Sequence, residues 1–262
     1  MAASSRRSPD RPASHGKFVA LGPVRAYSPG VAPWEKAVLA TEVCLAAAVL
    51  AGLIVRGHWR SCYAFCLYLV AFGIFEGAIL AFPARFFRLD FWLAKEAVEA
   101  LLKLAVAFEI AARIFWRLPT ARTIFTLTFL ICLLAIAGAV APTVGADLDV
   151  VASVGLPRLL YGTALIFAGL LAVCLWFHVP LYPIHKAILV GFVPYLVAFT
   201  MVLQILQTFG WDVRGAANYL NTIAFIALLG FWTRAAWRRV SVSEAPPSVV
   251  SFLQPWVRPG RA

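Results

Sequence analysis

Charge is scarce in this sequence. Asp, Glu, Lys and Arg together make up 13% of the 262 residues, about half the share of a soluble domain. Acid is scarcer than base, with 12 Asp and Glu against 23 Lys and Arg, a formal net charge of +11. That balance does not point to nucleic acid. The arginines sit in short segments between apolar runs, where membrane loops collect them, and no basic stripe is interleaved with exposed aromatics. The signatures of nucleotide and hydrolase chemistry are missing too: no Walker loop, no GxSxG elbow and no dinucleotide fingerprint. No HxxxH or HExxH occurs. The five cysteines, Cys44, Cys62, Cys66, Cys132 and Cys174, all lie in or at the ends of apolar runs. This argues against a secreted-type disulfide framework, and the thiols read as small buried hydrophobes.

Apolar residues are what the chain has in plenty, 62% of it, with a mean hydropathy of +0.85. The composition is that of an integral membrane protein, and the length allows one compact membrane domain. Residues 1–32, beginning "MAASSRRSPDRPASHG", are rich in Ser, Arg and Pro and contain no apolar core. They read as a disordered basic tail rather than a signal peptide; a mitochondrial transit peptide fits the Arg and Ser content but not the Pro density. Seven apolar runs follow, near 33–55, 61–82, 90–115, 121–142, 155–178, 185–208 and 215–237, each close to the ~20 residues a span needs. The expected fold is therefore all-α: a polytopic domain of seven transmembrane helices over 33–239, then a short cytoplasmic tail, 240–262. No internal repeat of the transporter kind is evident.

Loop charge sets the orientation. Arg56 and Arg60, then Arg113, Arg117 and Arg122, then Lys186, then Arg234, Arg238 and Arg239 mark one side as cytoplasmic. The loop between the fourth and fifth runs carries Asp147 and Asp149. The expectation is an amino terminus outside and a carboxyl terminus inside. Arg85, Arg88 and the basic amino tail run against it.

The third run, "FWLAKEAVEALLKLAVAFEIAARIF", is the exception to the scarcity of charge. It carries Lys95, Glu96, Glu99, Lys103, Glu109 and Arg113. At roughly 100° per residue these fall within an arc of about 140°, leaving a wide apolar face for lipid. Glu99 and Lys103 stand in the favourable Glu-to-Lys i,i+4 order, as do Glu109 and Arg113, and Glu99–Lys103 is expected to be a buried pair. Charges near the bilayer centre cost about 2.5–3.5 kcal/mol each on insertion scales, so this helix needs partners, and its ionisable residues are functional candidates by default. Two other readings keep the charges without a ligand: a purely structural ion-pair ladder, or a third segment lying flat on the membrane surface as an amphipathic helix.

Other polar residues fall at the same outer depth. Glu42 is in the first run, Glu76 in the second, Arg158 and Tyr161 open the fifth, Gln204 and Gln207 close the sixth, and Asn218, Tyr219 and Asn221 open the seventh. With Lys95, Glu96, Glu99 and Lys103 they define an expected wet ligand or ion pocket, with Gln204 and Asn218 at its rim; interhelical glue is the alternative for the Asn and Gln side chains. Pro194, three residues after Gly191, predicts a kink in the sixth helix and a candidate hinge. Gly73 and Gly77 have GxxxG spacing, which permits close helix approach. Retinal is opposed by the lack of lysine in the seventh run. His58, His178 and His185 fall near the cytoplasmic interface with Cys62 close to His58, but their spacing is no metal motif. No metal or other cofactor is expected.

The stretches "KEAVEALLKLAVAFEIAARIF" and "PIHKAILVGF", in this seven-run layout, resemble the uncharacterised seven-helix membrane proteins of bacteria. More distantly the region is similar to the seven-helix sensor region that precedes some histidine kinases, although this chain carries no kinase. The resemblance implies a multi-pass protein of the inner (cytoplasmic) membrane and transfers no catalytic residue. The expected function is a receptor-like or sensory module that binds a small molecule or ion in the outer half of the bundle and signals to a cytoplasmic partner. A transporter or channel component using the Glu/Lys stripe, an intramembrane enzyme and a structural subunit are the alternatives.

Overall fold

The computed structural model describes residues 33–86, 88–116, 118, 122–147, 150–209 and 213–238. The expected tails, 1–32 and 240–262, lie outside these residues. The described part is almost entirely helical, with seven long helices: α1 Pro33–Val55, α2 Tyr63–Ala81, α3 Leu89–Trp116, α4 Arg122–Val140, α5 Leu156–Trp176, α6 Pro183–Phe209 and α7 Arg214–Trp237. Punctuation residues set several of the limits. Pro33 and Pro183 open α1 and α6, and Pro157 lies in the first turn of α5, positions where the missing N–H costs nothing. Gly57 turns the chain after α1 at φ 71°, a left-handed conformation that glycine adopts freely.

Six of the seven helices are long and apolar enough to cross a membrane. The seventh, α3, departs from that composition because of its charged stripe. It is nonetheless packed lengthwise in the bundle. Phe75 of α2 meets Phe91 at 5.7 Å between ring centroids, and the Ala64 N–H at the start of α2 donates to Glu109 Oε2 at 2.9 Å. Between Phe91 and Glu109 lie about 27 Å of helix at 1.5 Å per residue, so α2 and α3 run antiparallel along most of α2.

The later neighbours in sequence also reverse direction, α4 and α5 among them, with Ile136 against Gly162 and Phe125 against Phe177. Phe108 and Phe115 of α3 meet Phe129 and Phe125 of α4. Tyr161 and Phe167 of α5 meet Thr200 and Phe192 of α6, and Phe192 and Tyr195 of α6 meet Trp232 and Phe225 of α7. The first and last helices close the bundle side by side and parallel. Trp34 stacks on Tyr219 at 5.1 Å at one end, and Trp237 Nε1–H donates to Ala48 O at 3.0 Å nearer the other.

An aromatic core fills the half of the bundle nearest the α1–α2 loop. Trp232 sits edge-on to Phe65 at 4.8 Å and to Phe192 at 4.7 Å, and Phe167 lies 4.8 Å from Phe192. All four are fully buried. Two glycines let α7 approach: a Cβ on Gly52 would lie 2.8 Å from the Trp237 ring, and one on Gly191 would lie 2.6 Å from Trp232 Nε1 and 2.7 Å from Leu228 Cδ1. Gly73 and Gly77, the expected close-approach pair, meet nothing within 4 Å. Gly73 instead borders an apolar groove of about 300 Å³ between α1 and α2. Within the chain, the GxxxG spacing is therefore not used for packing.

The Gly191 contact gives a first prediction. Gly191→Ala should destabilise the protein by about 1–3 kcal/mol, the usual cost of overpacking a filled core. A thermal unfolding midpoint in detergent that does not fall would mean that α7 shifts away without loss.

Candidate functional site

The charged stripe of α3 turns into the bundle, against α2 and α1. Lys95 is its hub. Its Nζ lies 2.5 Å from Glu76 Oε1 on α2, and 3.6 Å from both Glu96 Oε1 and Glu99 Oε1 on its own helix. One turn further on, Lys103 Nζ lies 3.5 Å from Glu99 Oε2. The i,i+4 spacing makes the Lys95–Glu99 and Glu99–Lys103 contacts a direct consequence of helix geometry, while Glu96 directly follows Lys95 in sequence. The contact with Glu76 depends on how α2 and α3 are rotated against each other.

These groups are closed off. Glu76, Lys95, Glu96, Glu99 and Lys103 are all buried, Lys103 with only 2% of its surface exposed. Glu42 of α1 is buried as well, at 9%, and lies within electrostatic reach of Glu76, Lys95 and Glu99. The cluster therefore assembles four carboxyls and two ammonium groups in a region of low dielectric, where unmatched charge is costly. If all were ionised, two negative charges would be left unmatched.

Two tyrosines complete the surroundings, and nothing in the composition or charge pattern marks them. Tyr68 of α2 is fully buried. The Lys103 ammonium stands 5.7 Å from its ring centroid, within the range of a cation–π contact. Among the described residues the Tyr68 hydroxyl has no hydrogen-bond partner, and neither has Glu99 Oε1. Tyr68 feels Glu99, Glu96 and Glu76, and Tyr195 of α6 feels Glu96, Glu99, Lys95 and Glu42. Tyr195 directly follows Pro194, so the tyrosine signal lies beside the proline that marks the sixth helix. The helix runs on through Pro194 from Pro183 to Phe209, and Gly191 is where Trp232 presses against its backbone.

Three expected site residues are not in the cluster. Arg158 is exposed, and its Nη1 donates to Ala139 O at 3.0 Å. At the start of α5 it reaches the last carbonyls of α4, a favourable place for a cation. Gln204 and Asn218 are both exposed. Gln204 follows the buried Val202 by two residues, about 200° around the helix, which turns it to the opposite face. Arg158 and Gln204 are thus turned away from the cluster, and Asn218 lies beside Tyr219, at the level of Trp34. Tyr161 O–H donates to Thr200 O at 3.4 Å, tying α5 to α6. The side chain of Gln207 lies outside the described residues.

At the other end of α3, Glu109 accepts from the Ala64 N–H and pairs with Arg113 at 3.3 Å. It thus caps the start of α2, where free N–H groups favour a carboxylate. His185 Nε2 donates to Ser61 O at 2.7 Å, fastening the start of α6 to the α1–α2 loop. Cys62 Sγ donates to His58 O at 3.1 Å. All five thiols are free; Cys44 and Cys132 are exposed rather than buried as expected. Among the described residues no three His, Cys, Asp or Glu side chains come together as a metal ion requires.

No family model, no curated protein and no solved structure matches the chain.

Proposed function

We propose that this is a seven-span protein of the bacterial inner membrane, amino terminus outside, that takes up a positively charged ligand at the Glu/Lys cluster and reports it to a cytoplasmic partner. One observation carries the ligand reading. Four buried carboxyls face two ammonium groups, and a cluster with surplus acid in low dielectric favours whatever brings positive charge.

Parity supports the span count. Successive helices alternate in direction, and α1 and α7 lie parallel. Parallel ends need an even number of crossings from the start of one to the start of the other. Six crossings satisfy this if α3 spans; five would remain if α3 lay flat. Reporter fusions at positions 30, 118, 148 and 245 should read outside, inside, outside and inside. Inside signals at both 30 and 118 would overturn the seven-span reading.

Sensing is favoured over conduction by what lies beneath the cluster. The buried rings of Phe65, Phe167, Phe192 and Trp232 fill the bundle between it and the α1–α2 loop, leaving a dry layer where a transport path would need polar groups. Helix α6 links the two levels. Tyr195 is at the cluster, and His185 is at the loop. The purified chain in nanodiscs should therefore melt higher as cations or protons are added at constant ionic strength, by linkage to the folded state. Proteoliposomes should show no dissipation of a proton or sodium gradient above that of empty vesicles. A melting point indifferent to pH and to every added cation would sink the ligand reading, and a dissipated gradient would turn it into transport.

A further inference from the structure

We propose that the positively charged ligand of the cluster is the proton, and that Glu42 is the carboxyl that takes it up. This rests on the reading of the cluster as the ligand site. The ion pairs single out Glu42. Lys95 touches Glu76, Glu96 and Glu99, and Lys103 touches Glu99. Among the described residues Glu42 makes no ion pair, although it is 9% exposed and faces the same cluster. An unpaired carboxylate in an apolar bundle is neutralised rather than kept charged.

A metal cation does not meet the need, because no three acidic, histidine or cysteine side chains among the described residues converge on a point. A proton requires only one carboxyl oxygen. Two further groups in the cluster point to a small hydrogen-bonding ligand. Among the described residues the fully buried Tyr68 hydroxyl has no hydrogen-bond partner, and Glu99 Oε1, 3.6 Å from the Lys95 ammonium, accepts no hydrogen bond. A proton on one carboxyl, passed between neighbours through water, supplies the missing donor. Uptake forms one O–H bond at a carboxylate, with the proton drawn from water, and no electron moves.

Glu76 on α2 and Lys95 and Glu99 on α3 act on Glu42 directly, and Glu42 acts on Tyr195 of α6. Tyr68, Glu96 and Lys103 join the same cluster through Glu99 and Lys95. On α7, Tyr219 is at the level of Trp34, about two turns from Glu42. The acids exceed the ammonium groups by two, so a neutral cluster holds two protons, of which Glu42 carries one.

Infrared difference spectra of the full chain in nanodiscs, between acid and alkaline buffer, test this directly. Wild type should show a carboxylic-acid C=O signal that disappears on the alkaline side. Glu42→Gln should lose about half of its amplitude, one of two protons. Glu42→Asp should retain the amplitude at a shifted frequency, which keeps the test valid if the Gln variant folds poorly. Full amplitude in Glu42→Gln, with the loss appearing instead in Glu96→Gln or Glu99→Gln, would overturn Glu42 as the carrier and leave the cluster a proton site. No acid signal in wild type, together with a melting point raised by sodium or calcium chloride, would overturn the proton but keep the cation reading. No acid signal and no cation effect would overturn both.

Discussion

Lys95→Met should be the most damaging single substitution in the bundle. Among the described residues Lys95 is the one cation in contact with Glu76 and Glu96, and it shares Glu99 with Lys103. Its removal leaves Glu76 and Glu96 buried with no ammonium group in contact. Breaking a buried pair from one side costs about 3–5 kcal/mol, because the remaining charge keeps its desolvation penalty. Here two carboxyls lose their partner at once, so the loss should reach at least the upper part of that range. Unfolding in detergent, followed by tryptophan fluorescence, would measure it. Two features separate this from simple loss of packing. Adding Glu76→Gln should recover part of the loss, because it removes the acid nearest to Lys95. Acid should recover more, since carboxyls that take up protons no longer repel. If Lys95→Met melts like wild type at neutral pH, the carboxyls are already neutral and Lys95 stabilises nothing.

Depth was legible in the sequence, and direction only partly so. Apolar runs of about 20 residues mark helices, and all seven expected runs are helical. The contacts within α3 were legible for the same reason: Glu99 and Lys103 are one turn apart, so a single helix brings them together. The convergence of Glu76 with Lys95 was legible from shared depth, but their direct pairing was not, because it depends on the rotation of α2 against α3, which no local spacing fixes. Arg158, Gln204 and Asn218 fail on the same ground. Each was chosen for its distance along a helix, yet each is exposed in the bundle. Tyr68 and Tyr195 were invisible for a different reason. An aromatic residue in an apolar run reads as core, and only its neighbours reveal that a hydroxyl faces charge. The glycines repeat the lesson: GxxxG spacing marked Gly73 and Gly77, while the close contacts fall at Gly52 and Gly191, where α7 brings tryptophans against the backbone.

Substitutions at Glu99 and Lys103 should be unequal and strongly coupled. Without Lys103, Glu99 still lies 3.6 Å from Lys95, so Lys103→Met leaves no carboxyl of the α3 stripe newly isolated from an ammonium. Without Glu99, Lys103 has lost the one carboxylate that it pairs with among the described residues, and the face of Tyr68 remains at 5.7 Å. A cation–π contact gives about 2 kcal/mol even when desolvated, less than a buried ammonium needs. Glu99→Gln should therefore cost about 3–5 kcal/mol, and Lys103→Met clearly less. The double variant should be more stable than Glu99→Gln alone, because the stranded ammonium is gone. The coupling between the two positions should fall within about 1–3 kcal/mol, as for residues in one ion-pair network. Thermal unfolding of the wild type, both single variants and the double variant in one detergent closes the cycle. Additive losses would mean that Lys103 is held by Tyr68 and the surrounding apolar groups rather than by Glu99. The α3 stripe would then divide into a Lys95 centre and an independent lysine.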